Sequence, residues 1–290
     1  MFPLIKLLRP HQWLKNGFVL AGLLFGHAWG DPLKLTQALL AFAAFCMLAS
    51  AVYVMNDLID TEVDRVHPKK RLRPLAAGTV SRGAAIALML VCLVAAAAFV
   101  VVAQNQAPWL FVAYFVINIA YSFGFKHVVI LDVFLISAGF MLRILVGTLG
   151  IGIAPSHWLL LCGLLLTLFL GFAKRRAELE ALDEGSSDHR RVLDDYTIEM
   201  LDHFISIVAA GTLVAYALYT VSGDTMALHN SRQLIFTVPF VLYGMLRYLW
   251  RLHRCSGGGD PAQELLTDPH LLAATIGWLG LVVAILAGKL

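Results

Sequence analysis

Three aspartates recur at Asp57, Asp60 and Asp64, with Asn56 just ahead of the first. On a helix the steps i, i+3 and i+7 put three carboxylates on one face, and Asn56, four residues before Asp60, falls near its edge. Like charges stacked this way repel, and at the end of an apolar helix they are costly. A divalent cation removes the conflict, and hard Mg²⁺ accepts carboxylate oxygens together with the phosphate oxygens of a substrate. The spacing therefore predicts a Mg²⁺ site with Asn56, Asp57, Asp60 and Asp64 as its ligands. A solvated acidic helix end would explain the charge, but neither the spacing nor the stretch that comes next.

That stretch is basic. His67-Pro68-Lys69-Lys70-Arg71-Leu72-Arg73-Pro74 follows Arg65 and brings five cations into nine residues. As a topological signal alone it would be unremarkable. Directly after a metal-type triad it reads as a polyphosphate site, with Lys69, Lys70, Arg71 and Arg73 as candidate ligands. A metal facing a basic clamp is the arrangement that stabilises a diphosphate as it leaves.

The elements that must position these residues are membrane helices. Hydrophobic residues make up 59% of 290, charged residues only 14%, and the mean hydropathy is +0.77. A soluble chain of this length would carry roughly a quarter charged residues. A helical crossing needs about 20 apolar residues, and nine apolar runs are visible: Trp13–Trp29, Leu35–Met55, Ala84–Ala103, Pro108–Phe123, Val128–Leu149, Trp158–Ala173, Ile205–Val221, Leu234–Leu252 and Leu271–Ala287. The expected fold is an all-α polytopic bundle of about nine transmembrane helices, one membrane domain over residues 1–290. The first run is a poor signal peptide, because eight more follow it and no convincing cleavage site closes it.

Charge orients the bundle. With the N-terminus inside, the inner segments hold eighteen of the 22 Lys and Arg, and the outer ones keep Lys34, Arg232 and Lys289. Positive residues stay cytoplasmic, so the Asp motif faces the cytoplasm of a plasma (inner) membrane. The net charge of +3 then speaks of topology and anionic ligands; no nucleic-acid motif accompanies it. Cys46, Cys92, Cys162 and Cys255 show neither CxxC pairing nor zinc spacing. His27, His157 and His229 are scattered on the outer side as interfacial polar residues. Within the spans Arg143 stands nearly alone as an ionisable group, and such residues are functional by default. The plainer reading is a side chain that snorkels or forms a structural bridge to Asp132.

The NDxxDxxxD pattern of Asn56–Asp64 at the end of the second run resembles the UbiA superfamily of intramembrane prenyltransferases. Further segments are similar to one branch of it, whose members transfer phosphoribose to a lipid phosphate. They are Arg9-Pro10-His11-Gln12-Trp13-Leu14-Lys15-Asn16, Tyr121-Ser122 with Lys126 and Leu131-Asp132, and Gly139-Phe140-Met141-Leu142-Arg143. Phe172-Ala173-Lys174-Arg175-Arg176-Ala177-Glu178-Leu179 and Gly259-Asp260-Pro261 continue the likeness over essentially the whole chain. Prenyl-transferring members commonly carry a second DxxxD for a second metal, whereas here Asp132 is followed four residues later by Ile136, and Lys126 lies in the same loop.

The resemblance implies a UbiA-like transferase that uses Mg²⁺ to move 5-phosphoribose from 5-phosphoribosyl 1-diphosphate to a polyprenyl phosphate, for cell-wall arabinan precursors. On that reading Asp57, Asp60, Asp64, Lys126 and Arg143 carry catalysis. Lys15, Asn56, Tyr121, Asp132, Lys174 and Arg175 join Lys69, Lys70, Arg71 and Arg73 in binding substrate. The expected partners are the two substrates and membrane lipids, with room for a homo-oligomer. Two alternatives stand: a prenyl diphosphate joined to an aromatic acceptor, which the missing DxxxD argues against, and a transporter with an acidic inner gate. The transporter would need ionisable groups in the middle of several spans.

Overall fold

A computed structural model describes residues 3–67, 70–183, 191–254 and 261–288. Every regular element among them is helical. The chain divides into two compact units, Met1–Pro155 and Ser156–Leu290.

The first unit begins with α1 (Pro3–Leu8), an eleven-residue 3₁₀ segment (Pro10–Leu20) and α2 (Ala21–Phe25). The long helix α3 (Pro32–Ile59) follows, then the short α4 (Thr61–Val66), α5 (Arg82–Val102), α6 (Trp109–Phe123) and α7 (Leu131–Val146). Asp31 caps α3 by accepting the Leu33 and Lys34 N–H groups, and Pro32 takes the first helical position, where its missing N–H costs nothing. Its 28 residues rise about 42 Å, some 12 Å more than a hydrocarbon core. A helix of this length tilts in the bilayer or reaches beyond it, and α3 ends on the Asp motif. Ala38, Ala41, Ala44, Ala49 and Ala51 are buried along α3, and Ala85, Cys92 and Ala96 along α5, its most extensive packing partner. Small side chains let two backbones approach where van der Waals contact, rather than the hydrophobic effect, drives association. The other face of α5 exposes Ile86, Leu90, Val91, Val94, Val101 and Val102, as a lipid-facing helix should.

The expected first span takes an unexpected form. Instead of one α-helix over Trp13–Trp29, the chain runs as the long 3₁₀ segment followed by five α-helical residues. At about 2.0 and 1.5 Å per residue this still spans roughly 30 Å. This stretch packs closely on α7: a Cβ on Gly147, at the end of α7, would lie 1.7 Å from the Val19 carbonyl oxygen, and one on Gly22 would lie 2.2 Å from the Gly147 oxygen. Gly147→Ala should therefore cost about 3 kcal/mol through overpacking. Thermal unfolding in detergent should show it as a clear loss of Tm, while an unchanged Tm would disprove the contact.

The second unit holds α8 (His157–Asp183), α9 (Ile198–Val221), α10 (Gly223–His229), α11 (Val238–Arg254), α12 (Pro261–Thr267) and α13 (Pro269–Leu286). Asp268 caps α13 through the Leu271 N–H and accepts from Arg247 and Arg251. The Arg247 hydrogen bond, above all, holds its carboxyl well below the usual carboxylate range.

Among the described residues, six helices are long and apolar enough to cross a membrane: Pro32–Ile59, Arg82–Val102, Leu131–Ile151, His157–Ala181, Ile198–Val221 and Pro269–Leu286. Trp109–Phe123 is apolar but shorter. The eighth expected run becomes a 3₁₀ turn, Gln233–Thr237, and the 17-residue α11. The chain is a multi-pass, all-α membrane protein.

Candidate active site

The Asp motif does not stay on one helix. α3 stops at Ile59, Asp60 takes φ −87° and ψ 6°, and α4 restarts at Thr61. This break divides the three carboxylates that the spacing placed on a single face. Asp57 and Asp64 are buried, with side chains 3% and 5% exposed, whereas Asp60 is 38% exposed. The Thr61 hydroxyl, 2.7 Å from the Asp57 carbonyl oxygen, ties α4 back to the end of α3.

Every carboxylate of the motif faces a cation, and two of them share one. Arg73 Nη1 donates to Asp64 Oδ2 at 2.7 Å and to Asp57 Oδ1 at 3.2 Å, so the two aspartates converge on one nitrogen. Arg9 Nη2 donates to the same Asp57 Oδ1 at 2.5 Å. Lys126 Nζ lies 3.9 Å from Asp60 Oδ1, and Ser122 donates to Asn56 Oδ1 at 2.8 Å.

Arg9 was not a candidate on sequence, although it opens the RPHQWLKN segment. Its conformation is the signal that sequence reading lacked. It sits at φ 50°, ψ 59°, left-handed for a non-glycine residue and directly before Pro10. That costs roughly 1–2 kcal/mol, and such strain gathers at functional sites. The turn brings the guanidinium 4.9 Å from the centre of the Tyr53 ring and onto Asp57. Next to it, Trp13 donates to Ser50 on α3 at 3.0 Å, fastening the 3₁₀ segment there.

Two expected ligands are spent elsewhere. Arg143 is buried and donates to Asn16 Oδ1 (2.8 Å), the Gly139 carbonyl (2.8 Å) and the Tyr114 hydroxyl (3.0 Å). Its guanidinium also lies over the rings of Phe45, Tyr114 and Phe140. A phosphate would have to displace this network, so the residue reads as a structural tie, made through Asn16 and Tyr114 rather than through Asp132. Arg175, in the second unit, is 1% exposed and paired with Glu178, which Lys174 also approaches at 4.0 Å. In this arrangement the Arg175 guanidinium is engaged by Glu178.

The other candidates are spread over neighbouring elements of the first unit. Lys15 is half-buried on the 3₁₀ segment, Tyr121 is half-buried on α6, and Asp132 is fully buried in the first turn of α7. Lys70 is half-buried, its backbone N–H donating to His67 Nδ1 at 3.1 Å, and Arg71 is exposed. Lys69 lies outside the described residues.

Among the described residues no group of three His, Cys, Asp or Glu side chains is gathered closely enough to hold a metal ion. Of the expected ligands, Asp57 and Asp64 lie together and buried, while Asp60 stands more exposed. Asp57 Oδ1 and Asp64 Oδ2 already meet at one cationic nitrogen, and two convergent carboxylate oxygens suit a hard divalent cation that keeps waters and substrate oxygens as its other ligands. The donor set fits such an ion once Arg73 gives way.

Residues 17–265 match the UbiA prenyltransferase family. Decaprenyl-phosphate phosphoribosyltransferase of Corynebacterium glutamicum is 33% identical over 97% of this chain and 85% of its own length. The enzyme of the same name from Mycolicibacterium smegmatis is 34% identical over 97% of this chain and 91% of its own. Among solved structures, a UbiA homologue from Archaeoglobus fulgidus bound to DMAPP and Mg²⁺ superimposes with a TM-score of 0.70, covering 98% of this chain and 99% of that one at 18% identity.

Proposed function

We propose that this chain, which belongs to the UbiA prenyltransferase family, transfers 5-phosphoribose from 5-phosphoribosyl 1-diphosphate to decaprenyl phosphate or a similar polyprenyl phosphate, releasing pyrophosphate. The observation that carries this reading is the set of cations, Arg9, Arg73 and Lys126, each lying on a carboxylate of the Asp motif. A site so furnished accepts several phosphates at once. The family match runs across both units, which supports one functional domain over 1–290.

In the reaction the bond from the anomeric carbon to the diphosphate breaks, and a bond to an oxygen of the lipid phosphate forms. Positive charge develops at the anomeric carbon while negative charge grows on the leaving group. Asp57 and Asp64, with Asp60 and Asn56 beside them, would hold a Mg²⁺ that neutralises the departing diphosphate. The lipid phosphate is already an anion, so its attack depends on position more than on a general base. Arg9 and Arg73 would grip the diphosphate, and Lys126 would hold the ribose or lipid phosphate; Lys15, Lys70, Arg71, Tyr121 and Asp132 remain in support. Downstream the product would serve cell-wall arabinan synthesis. A multiply charged soluble donor cannot cross the bilayer, which agrees with a plasma-membrane site facing the cytoplasm.

Purified protein supplied with both donor classes decides the matter. It should release pyrophosphate from 5-phosphoribosyl 1-diphosphate only when a polyprenyl phosphate is present. The activity should vanish with a chelator and return with Mg²⁺. Losing a charge-assisted phosphate contact costs about 1.5–3 kcal/mol, so Lys126→Ala should weaken turnover at least about tenfold. Consumption of a prenyl diphosphate with an aromatic acceptor, and indifference to the ribosyl donor, would overturn the reading in favour of prenyl transfer.

A further inference from the structure

The carboxylates of the Asp motif are each matched by a cation. Among the described residues, Asp57, Asp60 and Asp64 are answered by Arg9, Arg73 and Lys126. The pairing is tightest where burial is deepest. Asp57 Oδ1 takes two guanidinium groups, and Arg73 Nη1 occupies the point where Asp57 and Asp64 converge. A bare divalent cation would have to eject Arg73 from two nearly buried carboxylates and leave its charge, and that of Arg9, facing the incoming ion. Breaking a buried ion pair without replacing the lost partner is strongly unfavourable. A cation arriving with a diphosphate meets no such barrier. The ion takes the carboxylate oxygens, and the released guanidiniums turn to the phosphate oxygens, where bidentate contacts are strong.

We infer that Arg9 and Arg73 are an exchangeable pair, stored on Asp57 and Asp64 until metal and diphosphate enter together. The two arginines thus compete with the metal for the carboxylates and cooperate with it for the diphosphate. One consequence is a binding order in which the metal–diphosphate complex, not the free metal, is the species taken up. A second is that Arg9 becomes a substrate residue, held at a strained backbone position so that its side chain reaches both partners. The inference rests on the proposed use of a divalent metal and a diphosphate donor, and it is independent of what group the diphosphate carries.

The test is equilibrium dialysis of the full chain in detergent with Mn²⁺ and radiolabelled pyrophosphate, alone and together. The wild-type protein should bind Mn²⁺ at least about tenfold more tightly with pyrophosphate present than without it, and by reciprocity pyrophosphate should gain equally from Mn²⁺. Arg9→Gln combined with Arg73→Gln should bind bare Mn²⁺ at least about fivefold more tightly than wild type and pyrophosphate at least about tenfold more weakly. These opposite shifts would not follow from general damage to the fold, which weakens both ligands. Arg73→Lys keeps the charge and should retain the wild-type preference for the pair. The inference is overturned if wild type takes Mn²⁺ equally well with and without pyrophosphate, or if the double variant binds bare Mn²⁺ no better than wild type. Either result would leave turnover of the ribosyl donor untouched. Conversely, a protein that ignored that donor could still show the coupling, so the two readings fail separately.

Discussion

Asp57→Asn and Asp64→Asn should each lower turnover by roughly 100- to 1000-fold, the scale of removing a preorganised charge from a transition state. Asn preserves the shape of each side chain and one oxygen, so the loss isolates the charge. At Asp57 it also strips two guanidiniums of their shared acceptor in a site 3% exposed. Asp60→Asn should cost distinctly less, because that carboxylate is 38% exposed and its cation stands 3.9 Å away. The spacing of the motif treats the three residues as equivalent; the helix break at Asp60 does not. Steady-state turnover of 5-phosphoribosyl 1-diphosphate, with Mn²⁺ retention by each variant, measures both effects. Full activity in Asp57→Asn would refute the metal assignment, and equal losses at all three positions would refute the division between buried pair and exposed third.

Arg143→Ala should destabilise the first unit by about 3–5 kcal/mol. Its removal leaves Asn16, the Gly139 carbonyl and the Tyr114 hydroxyl without their donor in a buried setting, and each unsatisfied group costs roughly 1–3 kcal/mol. The vacated volume among Phe45, Tyr114 and Phe140 adds a cavity term. Arg143→Lys keeps the charge but not the planar fork and should recover only part of the loss. Thermal unfolding in detergent reads the stability, and KM for each substrate reads any direct contact. An unchanged Tm with a tenfold higher KM for polyprenyl phosphate would restore Arg143 as a phosphate ligand.

Local chemistry made much of this protein legible in advance. Apolar runs too long for a soluble core required an all-α membrane protein, and six of the nine runs correspond to helices that meet the length and composition of a crossing. The Asp motif with its basic sequel pointed to a metal and a polyphosphate, since carboxylates crowded at the end of an apolar helix call for cations to offset them. Three matters depended on the folded chain. The close backbone approach of the first segment to the end of α7, at Gly22 and Gly147, joins residues 125 positions apart, which no local periodicity can register. The role of Arg143 turned on Asn16, 127 positions away, because a lone intramembrane cation looks the same in sequence whether its partner is a ligand or a side chain. The pairing of Asp57 with both Arg9 and Arg73, 48 and 16 positions distant, was likewise beyond reach. Composition and spacing state which charges a site must hold, but the partner that neutralises each one is chosen by distances that only tertiary packing creates.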